Sequence, residues 1–173
     1  AVEAALQSSD AAVGEIGMAS LSTTLATNAL VEGQGGRAGL VYIGFREGDL
    51  AAHGLQEVLS GDPALVMAGG HSHPGTEAAP LDESALLAWL ETEPDASAYA
   101  VASQFATRNP AHEQRAAEVI REVTGRPVSC SHHLSAKLNG PKRALTALLN
   151  ARLIGMIAQL IDKAEGKLRD LGI

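Results

Sequence analysis

The chain has 173 residues, of which 46% are hydrophobic, 19% charged and 3% aromatic, with a formal net charge of −7. That length suits one domain able to bury its own core, and the acidic balance excludes general binding to nucleic acid or to an anionic membrane surface, both of which need clustered positive charge. The single cysteine, Cys130, excludes an intramolecular disulfide and any multi-cysteine metal site, and it fits a reducing cytoplasm.

The predicted elements alternate along the chain. Ala1 to Ser8 reads as helix, already in mid-course at its first residue and with no starting Met, which marks the chain as a piece of a longer protein. Ile16 to Leu21 reads as a strand, and Leu25 to Glu32 as a helix stopped by Gly33-Gln34-Gly35-Gly36. Ala38 to Ile43 is a short, continuous apolar run bounded by breakers, the pattern of a buried strand. Glu47 to Ser60 reads as helix, Ala64 to Ala68 as strand, and Gly69 to Gly75 as loop. Asp82 caps a helix over Glu83 to Leu90, and Ala98 to Ala102 is a strand. Asn109-Pro110 opens a helix from Ala111 to Thr124, and Val128 to Cys130 is a strand. Pro141 opens a long helical region to about Leu171, with a break expected near Gly155. No run of 18 consecutive apolar residues occurs, so no membrane span is expected.

Strands alternating with helices predict an α/β domain, a parallel or mixed sheet flanked by helices. The strands are continuous apolar runs, as expected where both faces of a sheet are covered. Residues 1–140 form the α/β body in this reading, and residues 141–173 form a C-terminal helical segment of the same domain.

Ligands of open α/β sheets bind beyond the carboxyl ends of the strands, which directs attention to three loops. Ser22-Thr23-Thr24, with Asn28 one turn later, is on spacing alone a helix cap. The same hydroxyls and free backbone N–H groups suit an oxyanion or a phosphate. Gly70-His71-Ser72-His73-Pro74 places two histidines one residue apart, a spacing that can ligate one metal ion. Its HSHP core resembles that of JAMM-type metalloproteases. That pattern needs an acid twelve residues beyond the second histidine, where this chain has Ala85, with Asp82 three residues early. A metal at His71 and His73 therefore lacks its third ligand, and a polar loop or substrate-side wall is the expected role. Ser129-Cys130-Ser131-His132-His133 places a thiol beside imidazoles, but a cysteine in a short apolar strand is expected to be buried and inert. Asn109 is a helix cap, and His112 and Glu113 sit in the first turn of the same helix, where the dipole favours an acid. Neither GxGxxG nor GxxxxGK[ST] is present.

Four blocks together carry a family resemblance. Ser22 to Glu32 reads STTLATNALVE and is followed by Gly36-Arg37-Ala38-Gly39-Leu40-Val41; Phe105 to Arg115 reads FATRNPAHEQR; Val128 to Leu134 reads VSCSHHL; and Pro141 to Leu153 reads PKRALTALLNARL. In this order they resemble segments of the hydantoinase/oxoprolinase family. The resemblance implies a partial actin/sugar-kinase/Hsp70-like (ribonuclease H-like) domain. It implies a parent enzyme that hydrolyses cyclic amides with ATP and Mg²⁺, phosphorylation of the carbonyl oxygen turning a poor electrophile into a better one. The family's two phosphate loops lie outside these blocks, so no cofactor is expected bound to this piece, and the piece alone is expected to be inactive. A ketone carboxylase subunit is the alternative within the family. On their place in the loops and helix starts after the strands, the substrate- or phosphate-side candidates are Thr23, Thr24, Asn28, His71, His73, Asn109, His112 and Glu113, with no catalytic role assigned.

The expected partners are the remainder of the parent chain and a second hydantoinase subunit, with no nucleic acid and no membrane. An assembly module is the reading from a different class. Leu145, Leu148, Leu149, Leu153, Ile157, Leu160 and Ile161 form an apolar stripe at helical spacing that offers a surface for self-association into a homo-oligomer. A metal-dependent peptidase built on His71 and His73 is the third reading.

Overall fold

A computed structural model describes residues 36–92 and 94–172. Strand β1 (Ala38–Ile43) pairs in parallel with β2 (Ala64–Met67) on one side and with β3 (Ala98–Ser103) on the other. Strand β4 (Val128–Cys130) pairs in parallel with β3, so the sheet order is β2-β1-β3-β4. The predicted strand bounds hold at β1 and β4 and extend by one residue at β3. The Ile16–Leu21 strand and the Leu25–Glu32 helix lie outside the described residues.

Both faces of the sheet are covered, which explains why its strands lack alternation. Ala38, Leu40 and Tyr42 of β1 and Ala98, Ala100 and Ala102 of β3 pack under α1 (Leu55–Leu59) and α5 (Gly140–Asp170). Val41, Ile43, Tyr99 and Val101 pack under α2 (Glu83–Glu91) and α3 (Ala111–Thr124). Asp82 caps α2 by accepting from the Ala85 N–H at 3.0 Å. A short α4 (Ser131–Leu134) follows β4 directly.

Two expected helices take a different form. The segment expected as one helix over Glu47–Ser60 is a 3-10 helix, Glu47–Gly54, followed by α1. Gly54 stands at φ 74°, a left-handed conformation that no right-handed helix continues through. Conversely, α5 runs unbroken past Gly155. Glycine is a poor helix former, but here the sheet requires it: a Cβ at Gly155 would lie 2.5 Å from Ser97 Oγ and 3.2 Å from the Ala98 Cβ. Gly155→Leu is expected to lower stability by about 1–3 kcal/mol through overpacking, read as an earlier midpoint in urea unfolding. An unchanged midpoint would mean that α5 does not rest on β3 at this point.

By length and composition α5 is also apolar enough to cross a membrane, with a mean hydropathy of 1.6 over its best window. Its contacts are those of a helix docked on its own sheet. Ala144, Ala147, Leu148 and Ala151 are buried, and Arg152 donates to Asp62 Oδ2 at 2.8 Å and to the carbonyls of Val58 and Leu59.

Because the strands are parallel, their carboxyl ends share one edge. The strand order reverses between β1 and β3, which opens a crevice there. The loops after β1 and β2 touch, since a Cβ at Gly44 would lie 2.7 Å from the Gly69 carbonyl oxygen.

Candidate active site at the carboxyl end of the sheet

The loop after β2 turns on two glycines at positive φ, Gly69 (139°) and Gly70 (84°), and delivers His71 beneath α3. The His71 N–H donates to the Gln104 carbonyl at 3.1 Å, which ties this loop to the one after β3. The Gly70 N–H donates to His112 Nδ1 at 2.8 Å. A nitrogen that accepts carries no proton, so the His112 proton sits on Nε2 and is donated to Glu77 Oε1 at 3.0 Å. The His71 and His112 rings lie 4.4 Å apart at 44°.

His71 is 2% exposed. Burial, and then the neighbouring His112, hold its pKa below the ordinary 6.5, while Glu77 opposes them. The unfolded chain therefore takes up this proton first as pH falls, and the stability His71 contributes is full above about 6.5 and lost below it. Urea unfolding at about pH 7.5 and 5.5 is expected to show a fall in stability that His71→Gln reduces. Equal slopes in the two proteins would place His71 in water.

A second cluster centres on Glu113, in the first turn of α3 and fully buried. Its Oε1 accepts from the Ser103 N–H at 2.7 Å and from Ser131 Oγ at 2.6 Å. Its Oε2 accepts from the His132 N–H at 3.0 Å and from His132 Nδ1 at 2.6 Å. Four donors fill the acceptor positions of one carboxylate. Ser131 Oγ accepts in turn from Arg143 Nε at 3.2 Å, and Arg143 also donates to the carbonyls of Ser103 and Lys137, each at 2.8 Å. The network ties β3, α3, α4 and α5 together at one end of the sheet.

Among the described residues, four buried side-chain polar atoms have no hydrogen-bond partner: Tyr42 Oη, His71 Nδ1, Thr107 Oγ1 and His132 Nε2. Such atoms are scarce in folded proteins. Here each of the four strands contributes one, at its carboxyl end or in the loop that follows.

Of the residues singled out from sequence, His71, His112 and Glu113 meet at this edge. His73 does not join His71. It is exposed and stands edge-on to Phe105 at 5.8 Å, so the two histidines do not converge on a metal. Asn109 accepts from the Ala111 N–H and donates to the Gly75 carbonyl, both at 3.1 Å, so both ends of its amide hold backbone. Thr23, Thr24 and Asn28 lie outside the described residues. Cys130 is buried, and burial and then Glu113 push its thiol up to about 11, which suits the inert role. The sequence reading missed Glu77 and Arg143, and in the loop after β4 it weighed the Cys130 thiol and gave His132 no role of its own. The signal for His132 was its place two residues after β4.

Gly70, His71 and the Glu113 cluster do not fit a nucleotide's phosphates or Mg²⁺. The N–H groups of Gly70 and His71 are already committed. Glu113, Cys130 and His132 form the one described group of three metal-ligating side chains. There the carboxylate is saturated with donors and the thiol strongly favours its protonated form.

A model of the hydantoinase/oxoprolinase N-terminal region matches residues 1–124. The chain belongs to the hydantoinase/oxoprolinase family. It is 28% identical over 168 residues to the caprolactamase alpha subunit of Pseudomonas jessenii, covering 87% of this chain and 24% of that protein. It is 29% identical over 180 residues to the acetophenone carboxylase gamma subunit of Aromatoleum aromaticum, covering 87% of this chain and 25% of that one. This member of the family therefore spans about a quarter of the length of these relatives. Its structure is similar to the ATP-dependent caprolactamase of P. jessenii, with a TM-score of 0.64 and 26% identity over 92% of this chain and 26% of that one. It also shares its fold with a nucleotide-free acetone carboxylase, with a TM-score of 0.62 and 17% identity over 86% of this chain and 25% of that one. The partial actin-like α/β fold expected of the family accords with these neighbours.

Proposed function

We propose that this chain is part of a cytoplasmic ATP-dependent enzyme that hydrolyses cyclic amides, and that these residues alone are inactive. The observation that carries the reading is the likeness to caprolactamase over nearly the whole chain, at 28% identity in sequence and a TM-score of 0.64 in structure. ATP and Mg²⁺ belong in this reading to residues other than those described, because the Gly70 and His71 N–H groups already donate within the fold and the buried Glu113 carboxylate is filled with donors. The edge instead suits the neutral substrate, with His71, His112 and Glu113 behind its wall. Thr23, Thr24 and Asn28 are the phosphate-side candidates, and His73 and Asn109 shape the flanking loop.

Both curated relatives are named as subunits, which supports assembly with a second subunit. Ile157 and Ile161 on α5, 40% and 48% exposed, offer a surface for that subunit or for a second copy of this chain.

The similar identity to an acetophenone carboxylase subunit, 29% against 28%, supports a second reading, ketone carboxylation. The complete protein, assayed with its second subunit and ATP, is expected to open ε-caprolactam, 5-oxoproline or a hydantoin. Carboxylation of acetophenone without ring opening would favour the second reading. ATP-dependent ring opening by the 173 residues alone would overturn their proposed inactivity.

A further inference from the structure

We propose that His132, oriented by Glu113, is the base that takes the N–H proton of the cyclic amide; this rests on the hydrolase reading above. The inference starts from the two nitrogens of one imidazole. Nδ1 lies 2.6 Å from Glu113 Oε2, and a carboxylate oxygen with no proton of its own can only accept there. The His132 proton is thereby fixed on Nδ1, and Nε2 presents a lone pair. That lone pair is buried and unpartnered among the described residues, in a side chain only 10% exposed. A carboxylate behind Nδ1 with an acceptor at Nε2 is the arrangement of an oriented general base.

The surroundings keep the pair in register. The other oxygen of Glu113 is held by the Ser103 N–H and the Ser131 hydroxyl, and Arg143 backs Ser131. The His132 N–H donates to the same carboxylate oxygen as its own ring, so backbone and side chain are pinned together. His132 stands two residues after β4, at the edge of the sheet where open α/β sheets take their ligands.

The ring has a task that matches a lactam. The amide N–H bond breaks, its proton passes to His132 Nε2, and the electron pair stays on nitrogen and delocalises onto the carbonyl oxygen. That oxygen becomes the stronger nucleophile. The imidazolium is balanced by Glu113, which keeps its charge and acts as a positioning residue. His112 has no comparable freedom, because both its ring nitrogens are engaged by Gly70 and Glu77.

The substitution that isolates the lone pair is His132→Asn, whose side-chain N–H can replace Nδ1–H toward Glu113 while nothing replaces Nε2. In the complete protein with ε-caprolactam, kcat is expected to fall by about 10²–10⁴ with KM little changed. Nitrogen-15 imidazole spectra of the 173-residue chain are expected to show His132 as the Nδ1–H tautomer, and Glu113→Gln is expected to shift that tautomer toward Nε2–H. A wild-type protein that does not open lactams would overturn the hydrolase reading and this assignment with it. A wild type that does, with His132→Asn equally fast, altered only in KM, or with His132 found as the Nε2–H tautomer, would overturn the assignment alone.

Discussion

Arg143→Met is expected to remove about 3–5 kcal/mol of folding stability, although it exchanges a charged residue for an apolar one of similar reach. Arg143 is 1% exposed and donates three hydrogen bonds: to Ser131 Oγ, to the Ser103 carbonyl and to the Lys137 carbonyl. Burial lowers its pKa, and Glu113 is the largest opposing influence. Taking the guanidinium away leaves the Glu113 carboxylate buried without its compensating cation, the Lys137 carbonyl without its side-chain donor and the Ser103 carbonyl with the Ala106 N–H at 3.3 Å in place of two donors. Such a loss is a large share of the roughly 5–15 kcal/mol that holds a domain together. Arg143→Lys is expected to rescue little, because one ammonium on a flexible stem does not reproduce a planar fork aimed at three acceptors. Urea unfolding should show the midpoint falling by about 2 M for Met, taking a slope near 2 kcal/mol per molar. A shift below about 0.5 M would mean that the network forms around the core without supporting it.

None of this is visible in the sequence around position 143. There the arginine sits in a helical stretch between Lys142 and Ala144 and reads as one more solvated charge. Its acceptor on Ser103 lies 40 residues away in the chain, and no local pattern reports such a contact. Glu113 was read as a first-turn acid suited to the helix dipole. That reading found the residue but gave it the wrong partner, since its ligands come from β3 and α4.

The strands were easier. Ala38–Ile43 declares itself because a strand buried on both faces leaves a continuous apolar run, and breakers end it; Val128–Cys130 is shorter and carries Ser129 at its centre, but Gly125-Arg126-Pro127 sets its start. Helix α3 was legible because Asn109-Pro110 starts it and Gly125 stops it. Gly155 misled for the opposite reason. A helix interior tolerates glycine where a neighbour needs the space, and the neighbour, Ser97, is known only from the fold.

The sharpest test of the buried network is a double-mutant cycle between Glu113 and Arg143. Glu113→Gln alone keeps the shape but turns an acceptor into an amide. Its NH₂ then faces a fixed backbone donor wherever it is placed, either the Ser103 N–H or the His132 N–H, and Arg143 is left without its counter-charge. A loss of about 3–5 kcal/mol is expected. In the double variant Glu113→Gln, Arg143→Met neither charge remains. The penalty for an uncompensated buried charge, present in each single variant, is then absent. The double loss is expected to fall short of the sum of the singles by about 1–3 kcal/mol, the range for residues that share one network. The two side chains meet through Ser131, which donates to Glu113 and accepts from Arg143, so the coupling should shrink in a Ser131→Ala background. Losses that add to within about 0.5 kcal/mol would mean that the two side chains stabilise separate parts of the domain. His132 would then owe its orientation to α4 alone.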